Sequence, residues 1–216
     1  WIGVGISTTH AQWFETWAKQ NNIPAPYTLI RQHNTDSSDT LEILDCFYQG
    51  KISKLCWETH QLIVYWKCAM AALRNHPSQG LIFDRSFFDV HSFMALYLSH
   101  GEYNQLLPLY NHLVDQFMKI CVEKKYIIQP IIITKPAAVA WRQFTNRNRS
   151  AEVHAFTQDA YIHHMQRYEE ATVKTMDVLR TKFGCDIIMP TKMVTGITVD
   201  QSVQEFDAIM GCLLTL

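Results

Sequence analysis

The stretch Leu81-Ile82-Phe83-Asp84-Arg85-Ser86 is an apolar run that ends in a charged pair. Consecutive apolar residues are typical of a strand that is covered on both faces, as in a parallel sheet. In open α/β sheets, ligands bind beyond the carboxyl ends of the strands. Asp84 and Arg85 are therefore predicted to lie at the rim of an active site. The alternative is a structural ion pair at the strand end, followed by Ser86 as a helix N-cap.

Around this stretch, short β-branched runs alternate with longer amphipathic ones, which predicts repeated strand–crossover–strand units. We predict an α/β fold in three layers, with five parallel strands and helices on both faces. The predicted strands are Ile2–Ser7, Tyr27–Arg31, Gly80–Asp84, Tyr126–Thr134 and Cys185–Met189. The predicted helices are Thr8–Gln20, Asp39–Tyr48, Ile52–Asn75, Phe87–Ser99, Tyr103–Lys124, Ala137–Asn146, Thr157–Phe183 and Val199–Leu214.

Length and composition indicate a single globular domain over residues 1–216. The formal net charge is -1, which does not favour nucleic-acid binding through a basic surface. The six cysteines form no C-x-x-C pair and are interpreted as free thiols in a reducing compartment. No apolar run approaches the roughly 20 residues that cross a bilayer. We therefore expect a cytosolic or nuclear protein without a membrane partner.

The end of the first predicted strand, followed by Ser7, Thr8 and Thr9, stands where a phosphate-binding loop is expected. Backbone N–H groups at a helix N-terminus bind phosphate, and a Ser or Thr hydroxyl binds Mg²⁺. The glycines and the Lys of such a loop are absent, because Ser7 runs directly into Thr8. Two explanations stay open. Either loop residues are missing between Ser7 and Thr8 in the sequence as written, or the site is degenerate.

Three arginines, Arg142, Arg147 and Arg149, follow the fourth predicted strand. Guanidinium groups near one helix end repel one another unless they bind an anion, and a triphosphate is a candidate. The alternative is a solvated basic helix end, which the helix dipole favours.

Taken in order, these motifs resemble the deoxynucleoside kinase family, which is related to the herpesvirus-type thymidine kinases. Leu81–Ser86 is similar to the family's Asp/Glu-Arg-Ser motif, and residues 142–155 resemble its Arg-rich lid. The stretch Trp57-Glu58-Thr59-His60-Gln61 resembles the helix that carries a base-reading Gln. The resemblance spans most of the chain and implies a P-loop kinase-type fold that binds ATP and Mg²⁺.

The resemblance also implies roles for single residues. Gln61 would pair with the nucleobase, with aromatic surface from Trp57 and Phe88 beside it. Tyr48 and Glu152 would hold the sugar 3′-hydroxyl. At the other end of the nucleoside, the resemblance implies that Arg85 contacts the 5′ oxygen and the transferred phosphoryl group. The remaining implied contacts are those of Asp84 and Thr8 with Mg²⁺, of Arg147 and Arg149 with the donor phosphates, and of Ser7, Thr9 and Arg142 with ATP.

The chain departs from the family pattern after its second predicted strand. The family has a carboxylate there as general base, whereas this sequence has Arg31-Gln32-His33-Asn34, which leaves the base unassigned. We expect transfer of the γ-phosphoryl group of ATP to the 5′-hydroxyl of a nucleoside such as thymidine, by a homodimer in the cytosol, or in the host cytosol or nucleus if the protein is viral. The alternatives are a thymidylate-type nucleoside monophosphate kinase and a degenerate kinase fold that serves as an interaction protein.

Overall fold

The computed structural model describes residues 27–31, 38–76, 80–146 and 156–195, and also 198, 200, 201, 204, 205, 208 and 209. The first predicted strand and helix, Ile2–Ser7 and Thr8–Gln20, lie outside these residues. The strands are β1 (Tyr27–Arg31), β2 (Gly80–Asp84), β3 (Ile131–Ile133) and β4 (Lys192–Val194). The helices are α1 (Ser38–Tyr48), α2 (Lys54–Asn75), α3 (Phe87–Tyr97), α4 (His100–Glu123), α5 (Ala137–Asn146) and α6 (Gln158–Phe183).

Helix ends follow from capping residues in the sequence. The hydroxyl of Ser86 accepts a hydrogen bond from the backbone N–H of Phe88 at 3.2 Å, and the Asp89 carboxylate accepts one from the backbone N–H of Ser86. Together these bonds form a capping box, which confirms Ser86 as the N-cap of α3. A second box, Ser99 with Glu102, starts α4 at His100, three residues before the predicted Tyr103. The difference arises because Ser99, predicted as the last residue of the preceding helix, is the N-cap of α4.

The described strands form two parallel pairs rather than the predicted five-stranded sheet. β1 pairs with β2 along their whole length, from Tyr27 beside Gly80 to Arg31 beside Asp84, and β3 pairs with β4. The α/β prediction is confirmed, and so is the buried interior of β2, since Leu81, Ile82 and Phe83 are all at most 3% exposed.

Two predicted strands had wrong boundaries. The predicted Tyr126–Thr134 is shorter in the structure, where β3 covers Ile131–Ile133. The predicted Cys185–Met189 is a turn that ends in a single bridge between Ile128 and Ile188, and the strand β4 begins only at Lys192. Pro130 and Pro190 follow that bridge, and proline has no N–H to donate to a ladder. The Gln129 amide donates to the carbonyl oxygens of both prolines, each at 2.9 Å, and so ties the two chains together beside this break in the ladder.

The core surrounds α3, which packs against α2, α4 and α6. Phe87 and Phe88 are at most 1% exposed, and both rings contact Phe117 of α4 edge-on. His91 of α3 joins three helices, because its ring nitrogens form hydrogen bonds with the hydroxyls of Thr175 of α6 at 2.8 Å and Tyr103 of α4 at 2.7 Å. The helix that follows the Asp-Arg pair is therefore fixed on three sides.

Candidate active site

Arg85 follows β2 in a left-handed backbone conformation, with φ of 68°. A residue with a Cβ adopts this conformation at a cost, and such residues cluster at functional sites. The side chain is exposed, and its guanidinium carbon lies 5.9 Å from the centre of the Phe93 ring. The conformation turns the chain sharply between β2 and α3, so Arg85 stands at the carboxyl end of the β1–β2 pair, as predicted.

Tyr65 of α2 contacts Arg85 and was not recognised in the sequence. Burial raises the pKa of Tyr65, while the Arg85 guanidinium, which donates a hydrogen bond to its hydroxyl, acts in the opposite direction. Because Tyr65 is only 7% exposed, its hydroxyl is a buried acceptor on one side of the exposed Arg85 cation. Tyr65 lies four residues after Gln61, so both side chains are on one face of α2. This spacing could have identified Tyr65 as a candidate site residue from the sequence.

Asp89 is the second residue that sequence reasoning missed. Its carboxylate is fully buried and accepts two hydrogen bonds, from the Ser86 backbone N–H at 2.7 Å and from the Tyr168 hydroxyl of α6 at 3.2 Å. Burial and the negative charge of Asp89 both raise the pKa of Tyr168. The S-x-x-D spacing after Arg85 predicts the cap bond, but nothing local predicts the bond to Tyr168.

The face of α2 toward the core carries two buried polar side chains. Gln61, the predicted base reader, is 7% exposed, and Glu58 one turn before it is 1% exposed. Burial raises the pKa of Glu58 to about 8. A carboxyl group with this pKa is mostly protonated at neutral pH, and a protonated carboxyl group has an O–H to donate as well as oxygens that accept. A glutamate among the apolar residues of one helix face could have identified this buried carboxyl group from the sequence.

An aromatic cluster brings two further predicted residues together. Trp57 stacks on Phe47 of α1, with ring centres 5.1 Å apart, and Tyr48 meets the same Phe47 ring edge-on at 5.3 Å. The ring of Tyr97 of α3 also meets Phe47 edge-on, with ring centres 6.3 Å apart. Trp57 and Tyr48 therefore share one aromatic wall. Phe88, predicted beside the base, lies instead in the core against Phe117.

The remaining predicted site residues are only partly described. Arg142 is exposed on α5, which packs against α6 through Phe144 and Tyr161. For Asp84 the backbone alone is described. The predicted residues outside the described ones are Ser7, Thr8, Thr9, Arg147, Arg149 and Glu152.

Two kinds of feature are absent from the described residues. No group of three or more His, Cys, Asp or Glu side chains among them is placed to hold a metal ion. None of the helices in the described ranges is long and apolar enough to span a membrane.

Comparison with known proteins was informative at the level of structure. The sequence matches no protein-family model and no curated protein. A deoxyadenosine kinase from M. mycoides, solved with bound dATP, superposes with a TM-score of 0.64 at 15% identity, over 97% of this chain and 98% of that one. Thymidylate kinase from Candida albicans superposes with a TM-score of 0.51 at 10% identity, over 98% of this chain and 90% of that one. At such identities the likeness establishes the fold alone. This chain has the fold shared by deoxyadenosine kinase and thymidylate kinase.

Proposed function

We propose that this chain is a deoxynucleoside kinase that transfers the γ-phosphoryl group of ATP to the 5′-hydroxyl of a nucleoside. The observation that carries the proposal is Arg85, which stands at the carboxyl end of β2 in a left-handed conformation and is bonded to Tyr65. An exposed guanidinium held in this way is suited to stabilise the charge that develops on a transferred phosphoryl group. Both structural neighbours are kinases, which supports the same reaction class.

In this proposal α2 binds the acceptor. Gln61 faces the core one turn from Tyr65, so its amide pairs with a nucleobase while the 5′ end of the nucleoside lies toward Arg85. The aromatic wall of Trp57 and Tyr48 borders the same helix. Tyr48 and Glu152 are proposed contacts of the sugar, and Phe88 supports the site from the core.

The donor side is proposed from sequence. Ser7, Thr8 and Thr9 bind the phosphates of ATP, and Arg142, Arg147 and Arg149 close over them as a lid. Thr8 and Asp84 are the proposed ligands of Mg²⁺, whose charge neutralises the β- and γ-phosphate oxygens when it is bound. The protein is proposed to act as a homodimer.

The test is product formation by the purified full chain with ATP, Mg²⁺ and each of four deoxynucleosides, followed by chromatography of the nucleotides. We expect a nucleoside monophosphate, and no product from Arg85→Ala. Thymidine monophosphate is the control acceptor: turnover of the monophosphate alone would establish the thymidylate-type reaction instead. Nucleoside binding without any turnover would identify a degenerate site, which the absence of a Lys between Ser7 and Thr8 favours.

A further inference from the structure

The Arg85 guanidinium meets a second aromatic side chain besides that of Tyr65. Its central carbon lies over the ring of Phe93 in α3, 5.9 Å from the ring centre. A cation within about 6 Å of the centre of an aromatic face is attracted by the negative charge of that face. A guanidinium group suits this contact because it is planar and more weakly hydrated than an ammonium group. The exposed Arg85 side chain is therefore held by a ring as well as by a hydrogen bond.

The Phe93 ring is itself packed against two tyrosine rings. It stacks on Tyr168 of α6, with ring centres 4.7 Å apart and planes inclined by 27°. It also stacks on Tyr97, one helical turn further along α3, with ring centres 5.9 Å apart and planes inclined by 3°. Stacked aromatic pairs stabilise a protein beyond the area that they bury. These contacts limit the rotation of a ring that is only half-buried.

Tyr168 connects this ring stack to the backbone beside Arg85. Its hydroxyl donates to the Asp89 carboxylate at 3.2 Å, and the same carboxylate accepts a hydrogen bond from the backbone N–H of Ser86 at 2.7 Å. The residue that follows Arg85 and the ring under its guanidinium are thus tied to one carboxylate–tyrosine pair. Arg85 itself leaves β2 in a left-handed conformation, with φ of 68°. The backbone and the side chain of Arg85 are therefore placed by contacts that converge from α3 and α6.

We propose that Phe93 is a positioning residue for Arg85, and that its ring holds the guanidinium in the orientation used for phosphoryl transfer. An exposed arginine side chain otherwise populates many rotamers. A cation that is already oriented when negative charge develops in the transition state lowers the barrier without reorganisation. The effect therefore falls on turnover and not on substrate binding. This inference rests on the proposed function, because it assigns Arg85 to the transferred phosphoryl group.

The first measurement is the steady-state kinetics of the full chain with ATP, Mg²⁺ and the nucleoside that it turns over fastest. Phe93→Leu and Phe93→Met remove the ring and keep an apolar side chain. For both we expect kcat to fall about 5-fold, while the KM for the nucleoside changes less than about 2-fold. Phe93→Tyr keeps the ring and should retain kcat within about 2-fold.

Two kinetic outcomes would overturn the positioning role. A higher KM for the nucleoside at an unchanged kcat would place Phe93 against the substrate instead of against Arg85. Equal losses of kcat in Phe93→Tyr and Phe93→Leu would show that the aromatic face is not what turnover requires.

The matched control is Phe183 at the end of α6, whose ring centre lies 5.1 Å from the Lys182 ammonium group. This pair is also a cation over an aromatic ring, but Phe183 lies about 22 Å beyond Tyr168 along the helix, at 1.5 Å per residue. Phe183→Leu should therefore leave kcat unchanged. A loss like that of Phe93→Leu would show that a missing ring lowers turnover through the fold as a whole, and the proposal would fall.

The second measurement detects the contact without turnover. In proton NMR of the chain with labelled arginine, the Arg85 side-chain resonances are identified by their absence from Arg85→Ala. They should be displaced upfield by the ring current of Phe93, and this displacement should be lost in Phe93→Leu and kept in Phe93→Tyr. Identical resonance positions in all these proteins would overturn the contact. If the displacement is present but the unmodified chain transfers no phosphoryl group to any nucleoside, the proposed function fails while the contact stands.

Discussion

Tyr168 of α6 donates a hydrogen bond of 3.2 Å to Asp89, the residue that caps the first turn of α3. Since Asp89 also accepts the backbone N–H of Ser86, one buried carboxylate connects α6 to the turn that carries Arg85. Tyr168→Phe removes the hydroxyl and leaves one carboxylate oxygen without that donor. We expect unfolding in urea to show a loss of about 1–3 kcal/mol. An unchanged midpoint and slope would show that the bond contributes nothing to stability.

The bond between Tyr65 and Arg85 predicts an effect on turnover. Tyr65→Phe removes the acceptor that orients the guanidinium while it keeps the buried ring, so kcat should fall about 10-fold with little change in KM for ATP. Tyr110→Phe is the matched control. The Tyr110 hydroxyl is buried and has no hydrogen-bond partner in the described structure, so its loss should leave activity unchanged and stability unchanged or higher. Similar kinetics for the two variants would contradict the positioning role of Tyr65.

The left-handed conformation of Arg85 predicts a difference in stability between two inactive variants. Both Arg85→Gly and Arg85→Ala lose the bond to Tyr65 and should lose phosphoryl transfer, but only Arg85→Gly relieves the conformation at φ of 68°, so it should be the more stable of the two. Arg85→Ala keeps the Cβ and therefore keeps the strain. Thermal unfolding of the two variants gives the comparison, and a lower midpoint for the Gly variant than for the Ala variant would contradict the prediction.

Glu58 predicts a pH dependence of stability. Burial raises its pKa from the ordinary value of 4.5 to about 8 in the folded protein, so between these two pH values the folded state holds a proton that the unfolded state has lost. Stability is therefore highest below about pH 4.5 as far as this group is concerned, and it falls as the pH rises to about 8. The total loss corresponds to about 3–5 kcal/mol at 1.36 kcal/mol per pKa unit.

The side chain of the Glu58→Gln variant does not titrate, so its free energy of unfolding should lack the decrease with pH that Glu58 causes. The check is the free energy of unfolding of both proteins measured in steps from pH 5 to pH 9. Parallel curves would show that the carboxyl group is ionised in the folded protein.

The sequence was sufficient for those parts of the fold that depend on local patterns. β2, the Ser86 cap and the helical segments follow from apolar runs, capping spacing and periodicity. Cys185–Met189 was wrongly predicted as a strand because several of its residues are apolar. Pro190, which follows it, has no N–H to continue the ladder of hydrogen bonds.

The candidate site was predictable only in part. Arg85, Gln61 and Trp57 belong to motifs that are contiguous in sequence. Tyr168 lies 79 residues from Asp89 and meets it only because α6 packs on α3, a relationship that no local pattern encodes. Glu58 was overlooked because a glutamate is ordinarily exposed, and its burial depends on the packing of the whole helix face.

His91 has a mechanical consequence. The Thr175 hydroxyl donates to the Ala171 carbonyl oxygen at 2.8 Å, so its oxygen accepts from the imidazole Nδ1, and Nε2 is left to accept from Tyr103. A neutral ring in this tautomer satisfies both bonds, and burial lowers the pKa of His91 in agreement. Because the His91 ring hydrogen-bonds both neighbouring helices, α3, α4 and α6 are expected to move together as one rigid unit. Any closure around a substrate then has to be produced by the segments attached to this unit, with Arg85 as a stationary point against which they move.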